Sequence, residues 1–349
     1  MNEKKVMVGM SGGVDSSAAA ALLINQGFSV SGVTLKLFNK GCASETDISD
    51  AKAVCEKLEI DHFSFSLEEY FDKMIIKSFI SSYENGETPN PCVNCNKYIK
   101  FSKMLEIAEE HGFYYIATGH YVKKEYDEKT GRYLLKKAED EKKDQTYFLY
   151  NLTQSQLEKT LFPLGEYAKS EIRNISESLG LINAKKPDSQ DICFVPGGDY
   201  VSFIESYTKK KALSGNFINS SGEVLGKHQG LINYTIGQRK GLGITFGEPR
   251  FVVGKSCSDN TVTLGKQEEL FSSELYARDV NWIMIDSLKE PMRVKIKARY
   301  KQPETDATIY PVDENTVRAV FDVPQRAISP GQSAVFYLGD YVVGGGVIK

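Results

Sequence analysis

The sequence predicts an α/β protein in three parts: a parallel-sheet domain over residues 1–206, a small mostly β domain over 207–268, and a C-terminal β-barrel over 269–349. Three observations carry this reading. From Lys4 to about Ser206, short apolar strands alternate with amphipathic helices, the pattern of a parallel sheet covered on both faces. After Tyr207 the glycines multiply and the β-type runs shorten, as in SGNFINSSGEVLGKHQG. From Glu269 onward VKIKARY, ATIYPV, TVRAVF and SAVFYLG are separated by Pro, Asn, Asp and Gly, which suits a compact antiparallel barrel or sandwich.

The elements of the first part follow in order. KVMVGM is the first strand, Val14 to Gln26 the first helix closed by Gly27, and FSVSGVTLKLF the next strand. A second helix spans roughly Asp47 to Leu58, and YYIATGHY (114–121) supplies a later strand and the loop at its end. A further helix starts near Lys97, with Tyr98, Phe101, Met104, Leu105 and Ala108 on the inner side and Lys97, Lys100, Lys103, Glu106 and Glu110 facing water; Gly112 ends it.

A chain of 349 residues with 41% hydrophobic content can bury more than one core. MNEKKVMVGM lacks the apolar stretch of a signal peptide, and AAAALLI at 18–24 is too short to span a bilayer, so a cytoplasmic protein without membrane contact is expected. In that reducing setting Cys42, Cys55, Cys92, Cys95, Cys193 and Cys257 suit chemistry or burial better than a disulfide framework. The net charge of −3 argues against indiscriminate nucleic-acid binding and leaves room for a local basic surface.

GMSGGVDSS (9–17) lies between the first strand and the first helix. Its glycines let main-chain N–H groups approach an anion, its serines add hydroxyls, and the helix start adds its dipole: a grip for phosphate. It is neither GxxxxGK[ST] nor GxGxxG. The string resembles the pyrophosphate loop of the ATP pyrophosphatases, the PP-loop superfamily with an adenine nucleotide alpha hydrolase-like fold. That resemblance implies adenylation of a substrate with release of pyrophosphate. Asp15 is then the candidate Mg²⁺ ligand, although an Asp in a first helical turn is also a good dipole partner.

TPNPCVNCNKYIKF (88–101) holds the one CxxC, Cys92 and Cys95. With no second pair and no HxxxH, a structural zinc is not supported. Placed at a helix start near Lys97 and Lys100, Cys95 is expected to have a lowered pKa. Cys193 sits in the polar stretch KPDSQDICFVPGGDY, Cys55 reads as packing, and Cys42 and Cys257 carry no motif.

TPNPCVNCNKYIKF, ATGHY, KDQTYFLY, KPDSQDICF, HQGLINYTIGQRKGLGI, KARYKQ and SPGQSAVFY, in this order along nearly the whole chain, resemble the tRNA-specific 2-thiouridylases. The resemblance implies ATP-dependent replacement of the C2 oxygen of the wobble uridine by sulfur in tRNAs for Lys, Glu and Gln, with a persulfide sulfur donor or sulfur-carrier protein as partner. It implies ATP binding by Gly9, Met10, Ser11, Gly12, Gly13, Val14, Asp15, Ser16, Leu35 and Gly119. Asn90, Pro91 and Cys92 would border the target base, Cys95 would be the nucleophile, and Cys193 would carry the persulfide and later close on Cys95 as a disulfide. His120, Lys143, Asp144, Gln145, Arg299, Tyr300 and Gln332 would touch tRNA. The best-known bacterial form has Asp where this chain has Cys92. Two readings of that thiol stay open: a local substitute near the base, or a third ligand with Cys95 and Cys193 of an iron–sulfur cluster. The cluster-free persulfide route is preferred.

In RVKIKARYK (293–301), strand alternation puts Arg293, Lys295, Lys297, Arg299 and Lys301 on one face as a basic row, against a bland alternative of a solvated barrel face. A regular strand would turn Tyr300 inward, so its tRNA contact needs a strand end or a bulge. His120 follows a strand's carboxyl end, where α/β sites gather; His228 has no assignment. The rival enzyme is another PP-loop ligase, such as one making 4-thiouridine, and the rival outside enzymes is a zinc- or RNA-binding protein.

Overall fold

Val6, Met7 and Val8 of the strand Asn2–Gly9 are all fully buried, because a parallel sheet covered by helices leaves neither face to water. The computed structural model describes residues 2–38, 45–184, 186 and 192–349; Cys42 lies outside them. The sheet runs in the order His62–Ser66, Ser29–Lys36, Asn2–Gly9, Phe113–Ala117, Thr160–Leu161, all parallel. Its connectivity reverses beside the first strand, so a crevice opens at the carboxyl ends of Asn2–Gly9 and Phe113–Ala117. The helices Val14–Asn25 and Glu45–Lys57 cover the sheet at the positions the periodicity predicts.

The cysteine helix departs from expectation. It begins at Pro91, not near Lys97, with Asn90 as N-cap accepting from the Cys92 N–H at 3.2 Å. It continues through a π-helical stretch, Asn96–Lys103, into Met104–Glu110. The wider turn shifts the inward face, so Ile99 and Ile107 are buried with Phe101, Met104 and Ala108 while Tyr98 and Leu105 are only partly covered.

The middle region forms a four-stranded sheet in the order Phe251–Ser256, Thr261–Gly265, Gly215–Ile218, Val224–His228 around Phe217, Tyr234, Val252, Val262 and Leu264. His228 is buried beside it. The Gly230 N–H donates to its Nδ1 at 2.9 Å, which leaves Nε2–H to donate to the Asn260 carbonyl at 3.1 Å. His228 is a structural tie.

The last region closes into an antiparallel barrel of Phe271–Trp282, Val317–Arg326, Thr305–Pro311, Met292–Lys297, Ser333–Leu338 and Tyr341–Ile348, the last pairing with the first. A hairpin from the first region, Lys123–Asp127 with Arg132–Lys136, extends this sheet through Lys136 and Tyr341 and has no counterpart in the sequence reading. No helix among the described residues is long and apolar enough to cross a membrane.

First region and barrel share one core. Phe101 and Met104 cluster with Tyr147, Leu149, Tyr150 and Leu152 and with Val335, Tyr337 and Val342. The close approach needs glycine at 345, where a Cβ would lie 2.7 Å from both the Ala334 carbonyl oxygen and the Tyr150 ring. Gly345→Ala is expected to lower stability by about 1–3 kcal/mol through overpacking, seen as a lower urea midpoint; an unchanged midpoint would show that the barrel and Tyr150 yield freely.

Candidate active site

The glycine-rich loop fills the crevice end of the first strand. Met10 is pinned to the next strand by its N–H to the Val33 carbonyl (2.7 Å) and by Thr34 Oγ1 donating to its own carbonyl (2.9 Å). Gly12 has φ of +68°, and a Cβ there would stand 2.6 Å from the Asp47 carbonyl oxygen. Ser16 Oγ accepts from the Ser11 N–H at 3.2 Å and donates to the Gly13 carbonyl at 3.1 Å. Gly13 caps the helix Val14–Asn25 without a side chain, which leaves first-turn N–H groups to an incoming anion. Gly119 is part of the same wall: a Cβ there would lie 2.8 Å from the main chain of Asp15 and Ser16. Leu35, half-buried on the neighbouring strand, packs with the apolar clusters on both sides.

Asp15, the candidate Mg²⁺ ligand, is held within the protein. Lys169 Nζ donates to both of its carboxylate oxygens, at 2.6 and 2.7 Å, and the Tyr121 hydroxyl donates to Oδ1 at 2.7 Å. Lys169 is nearly buried, so the carboxylate serves as its counter-charge. Two more residues that the sequence reading missed reach the loop: Asn183 Nδ2 donates to the Gly12 carbonyl and to Ser17 Oγ, and Lys186 Nζ donates to Gly12 O (3.3 Å), Asp47 (2.9 Å) and Asp50 (2.9 Å). Lysine and asparagine in a polar stretch carry no local signal of which loop they reach.

Cys92 and Cys95 lie one turn apart on the helix that starts at Pro91. Cys95 is half-buried, and desolvation pushes its pKa up to about 11; Lys100 pulls it down and Cys92 raises it further. The expected depression is therefore reversed: removal from water outweighs the nearby ammonium. Cys92 reaches the surface, yet the protein crowded around it also raises its pKa, again opposed by Lys100.

Cys193 is exposed and disulfide-bonded, whereas Cys95 is a free thiol, so the Cys95–Cys193 bond is not the one formed here. Its neighbours Phe194 and Val195 are buried in the cluster that includes Ile99 and, at its edge, Cys95. The two cysteine segments are thus packed together. Among the described residues no three His, Cys, Asp or Glu side chains are grouped to hold a metal, and the disulfide at Cys193 does not suit a thiolate ligand of an iron–sulfur cluster.

Three family models cover the chain in succession: a tRNA methyl transferase HUP domain over residues 4–197, a tRNA methyl transferase PRC-barrel domain over 201–266, and an aminomethyltransferase beta-barrel domain over 272–348. The tRNA-specific 2-thiouridylase MnmA of Acetivibrio thermocellus is 51% identical, with all of both chains covered. The protein of the same name from Clostridioides difficile is 52% identical over 99% of this chain and 98% of its own. The chain belongs to the tRNA-specific 2-thiouridylase family. Membership makes it an enzyme, with the parallel-sheet domain, middle domain and β-barrel described above.

The other positions singled out for this family mostly make internal contacts. His120 is buried, its Nδ1 2.8 Å from Thr118 Oγ1 and its ring against Phe101; burial, aided by Lys100, holds its pKa well below the usual range, so the ring is neutral. Asp144 is buried, accepting from Thr146 Oγ1 at 2.6 Å and from the Ala138 N–H at 3.2 Å. Gln145 Oε1 accepts from the Tyr121 N–H at 2.9 Å, while Lys143 is half-exposed beside them. Arg299 donates to the carbonyls of Ile236 (3.2 Å) and Ala327 (2.6 Å) and to Ser329, joining the middle domain to the barrel. The strand ends at Lys297, which frees Tyr300 from the alternation; it packs on Phe148 and donates to the Asp144 carbonyl at 3.3 Å. Gln332 Nε2 donates to the Thr88 carbonyl at 2.7 Å.

A raised pKa leaves Cys95 protonated at neutral pH, and its thiolate fraction grows about tenfold per pH unit below the pKa. Alkylation of Cys95, followed by peptide mass spectrometry, is expected to accelerate steadily to pH 10 and above. Lys100→Met should slow it at any fixed pH. A plateau near pH 7 would contradict the burial argument.

Proposed function

We propose that this enzyme makes 2-thiouridine at the wobble position of tRNAs for Lys, Glu and Gln, consuming ATP to AMP and pyrophosphate and taking sulfur from a persulfide on Cys193. One observation carries the reading furthest: the cysteine helix lies directly on the phosphate loop's strand. A Cβ at Gly9 would sit 3.2 Å from Met104 Sδ of that helix, and the nine residues back to Cys95 span on the order of 12 Å. An adenylated nucleotide bridges such a gap.

In this reading Gly9 to Ser16, Leu35 and Gly119 hold ATP with its terminal phosphates on the open first-turn N–H groups. The uracil C2 oxygen, set near Asn90, Pro91 and Cys92, attacks the α-phosphorus, and pyrophosphate leaves. The terminal sulfur of the Cys193 persulfide attacks C2, and AMP departs with the former C2 oxygen. Cys95, as thiolate, then attacks Cys193 Sγ; the S–S bond breaks, the sulfur stays on C2, and a Cys95–Cys193 disulfide forms. A dithiol reductant reopens it. The disulfide that Cys193 already carries must likewise be reduced before loading. Cys92 acts as a neutral thiol beside the base. Mg²⁺ enters with the nucleotide.

The decisive assay supplies tRNA, ATP, Mg²⁺ and a persulfide donor or carrier protein and identifies the products. AMP and pyrophosphate in step with 2-thiouridine are expected; tRNA-dependent ADP and phosphate would overturn the adenylation route.

For RNA contact the outward row of the strand Met292–Lys297 supports a tRNA path, with Arg293 and Lys295 exposed and Val294 and Ile296 buried. Arg293 is already paired with Asp322, so the exposed Lys295 carries most of the available charge, with Lys297 half-buried and its Nζ 5.8 Å from the Tyr337 ring centre. Replacing Lys295 and Lys297 by Gln should weaken tRNA binding and reduce its log–log salt slope by about 0.7–0.9 per lost phosphate contact. An unchanged slope returns the row to plain solvation.

A further inference from the structure

The segment that delivers Asn90, Pro91 and the cysteine pair is held by the barrel. The Thr88 N–H donates to the Pro330 carbonyl at 2.7 Å, and the Thr88 carbonyl accepts from Gln332 Nε2 at 2.7 Å. Both main-chain polar groups of Thr88 are thus satisfied from one barrel loop. Gly331, at φ +88°, permits the approach: a Cβ there would stand 2.8 Å from Glu87 Cβ and 2.9 Å from the Thr88 nitrogen. Beside it Arg278 pairs with Glu87 at 2.8 Å.

The loop that grips Thr88 is itself fixed. Arg299 donates to Ala327 O and Ser329 Oγ at its start. The Gly331 N–H donates to Ile348 O at 2.9 Å, and the Ile348 N–H donates to Gln332 O at 2.8 Å, tying it to the last barrel strand. Two residues beyond Thr88, the Asn90 side chain caps the Cys92 N–H. A displacement at Thr88 therefore passes through two residues to the first turn of the cysteine helix. Pro89 and Pro91, with fixed φ, stiffen that path.

We propose that Gln332 and Gly331 are positioning residues for sulfur transfer, acting through the Thr88 main chain to set where Cys92 and Cys95 stand. The barrel is then part of the thiolation machinery as well as a surface for RNA. Gln332 Nε2 donates to the Thr88 carbonyl, so its loss is expected to register in the chemical step. This inference rests on the reading that Cys95 is the reacting thiol.

The test uses the full chain with Gln332→Ala, Gln332→Glu and Gly331→Ala, alongside Cys95→Ser. Glutamate matches glutamine in size and offers the Thr88 carbonyl no donor when ionised. Both Gln332 variants are expected to lower kcat for thiolation about tenfold to a hundredfold, the range for a small misplacement of reacting groups. KM for tRNA should stay within about twofold, the sign that uniform binding is untouched. Cys95 alkylation at fixed pH should change several-fold in the same variants. A raised KM with unchanged kcat would make Gln332 a direct tRNA contact and overturn the proposal, as would wild-type kcat and alkylation rates. Gly331→Ala should give a larger kcat loss; if it does not fold, the Gln332 pair decides. Full thiolation by Cys95→Ser would instead remove the underlying reading, whatever the Gln332 variants do.

Discussion

Everything at the candidate site depends on the segment from Thr146 to Leu152, buried between the cysteine helix and the barrel. Tyr147 and Tyr150 pack into the shared core, and the Tyr147 hydroxyl donates to the Ser333 carbonyl of the barrel at 3.0 Å. On the other side Asn151 Nδ2 donates to the Val93 carbonyl, and Asn96 Nδ2 donates to the Phe148 carbonyl. Asn281 of the barrel donates to the carbonyls of Tyr150 and Leu152. Irregular chain is costly to bury because its polar groups need partners; here asparagine side chains from both neighbours supply them. Helix, segment and barrel are consequently held as one unit.

Electrostatics then divides the crevice. At the phosphate loop, two lysines are already matched to carboxylates: Lys169 to Asp15, Lys186 to Asp47 and Asp50. A polyanion arriving there meets main-chain dipoles and ammonium groups whose charge is partly spent. At the thiols, protein crowding dominates and keeps sulfur protonated. The two ends of the site thus favour different charge states within one helix length.

Legibility in the sequence followed range. The glycine-rich loop, the CxxC and the three-part organisation are local patterns of spacing, and the folded chain displays them; the basic row holds only as far as Lys297, where the strand ends, and Arg299 turns inward to Ile236, Ala327 and Ser329. The helix start at Pro91 is also written locally, in Asn90–Pro91, whereas the lysines downstream point to a later start. The Cys95 pKa failed for a different reason: a dipole and two lysines are visible in sequence, while the degree of burial is not. Partners such as Lys169 for Asp15, Asn151 for Val93 and Gln332 for Thr88 are joined across long separations, up to 244 positions. No spacing rule announces such pairs.

The suppressed ionisation of Cys95 has a consequence for endurance. Oxidants attack the thiolate far faster than the thiol, so a sulfur kept in its protonated form is shielded from sulfenic and sulfinic damage while the enzyme waits. Resting durability and intrinsic speed are set against each other by the same desolvation. A thiol held protonated in this way is slow to oxidise and equally slow to attack at neutral pH.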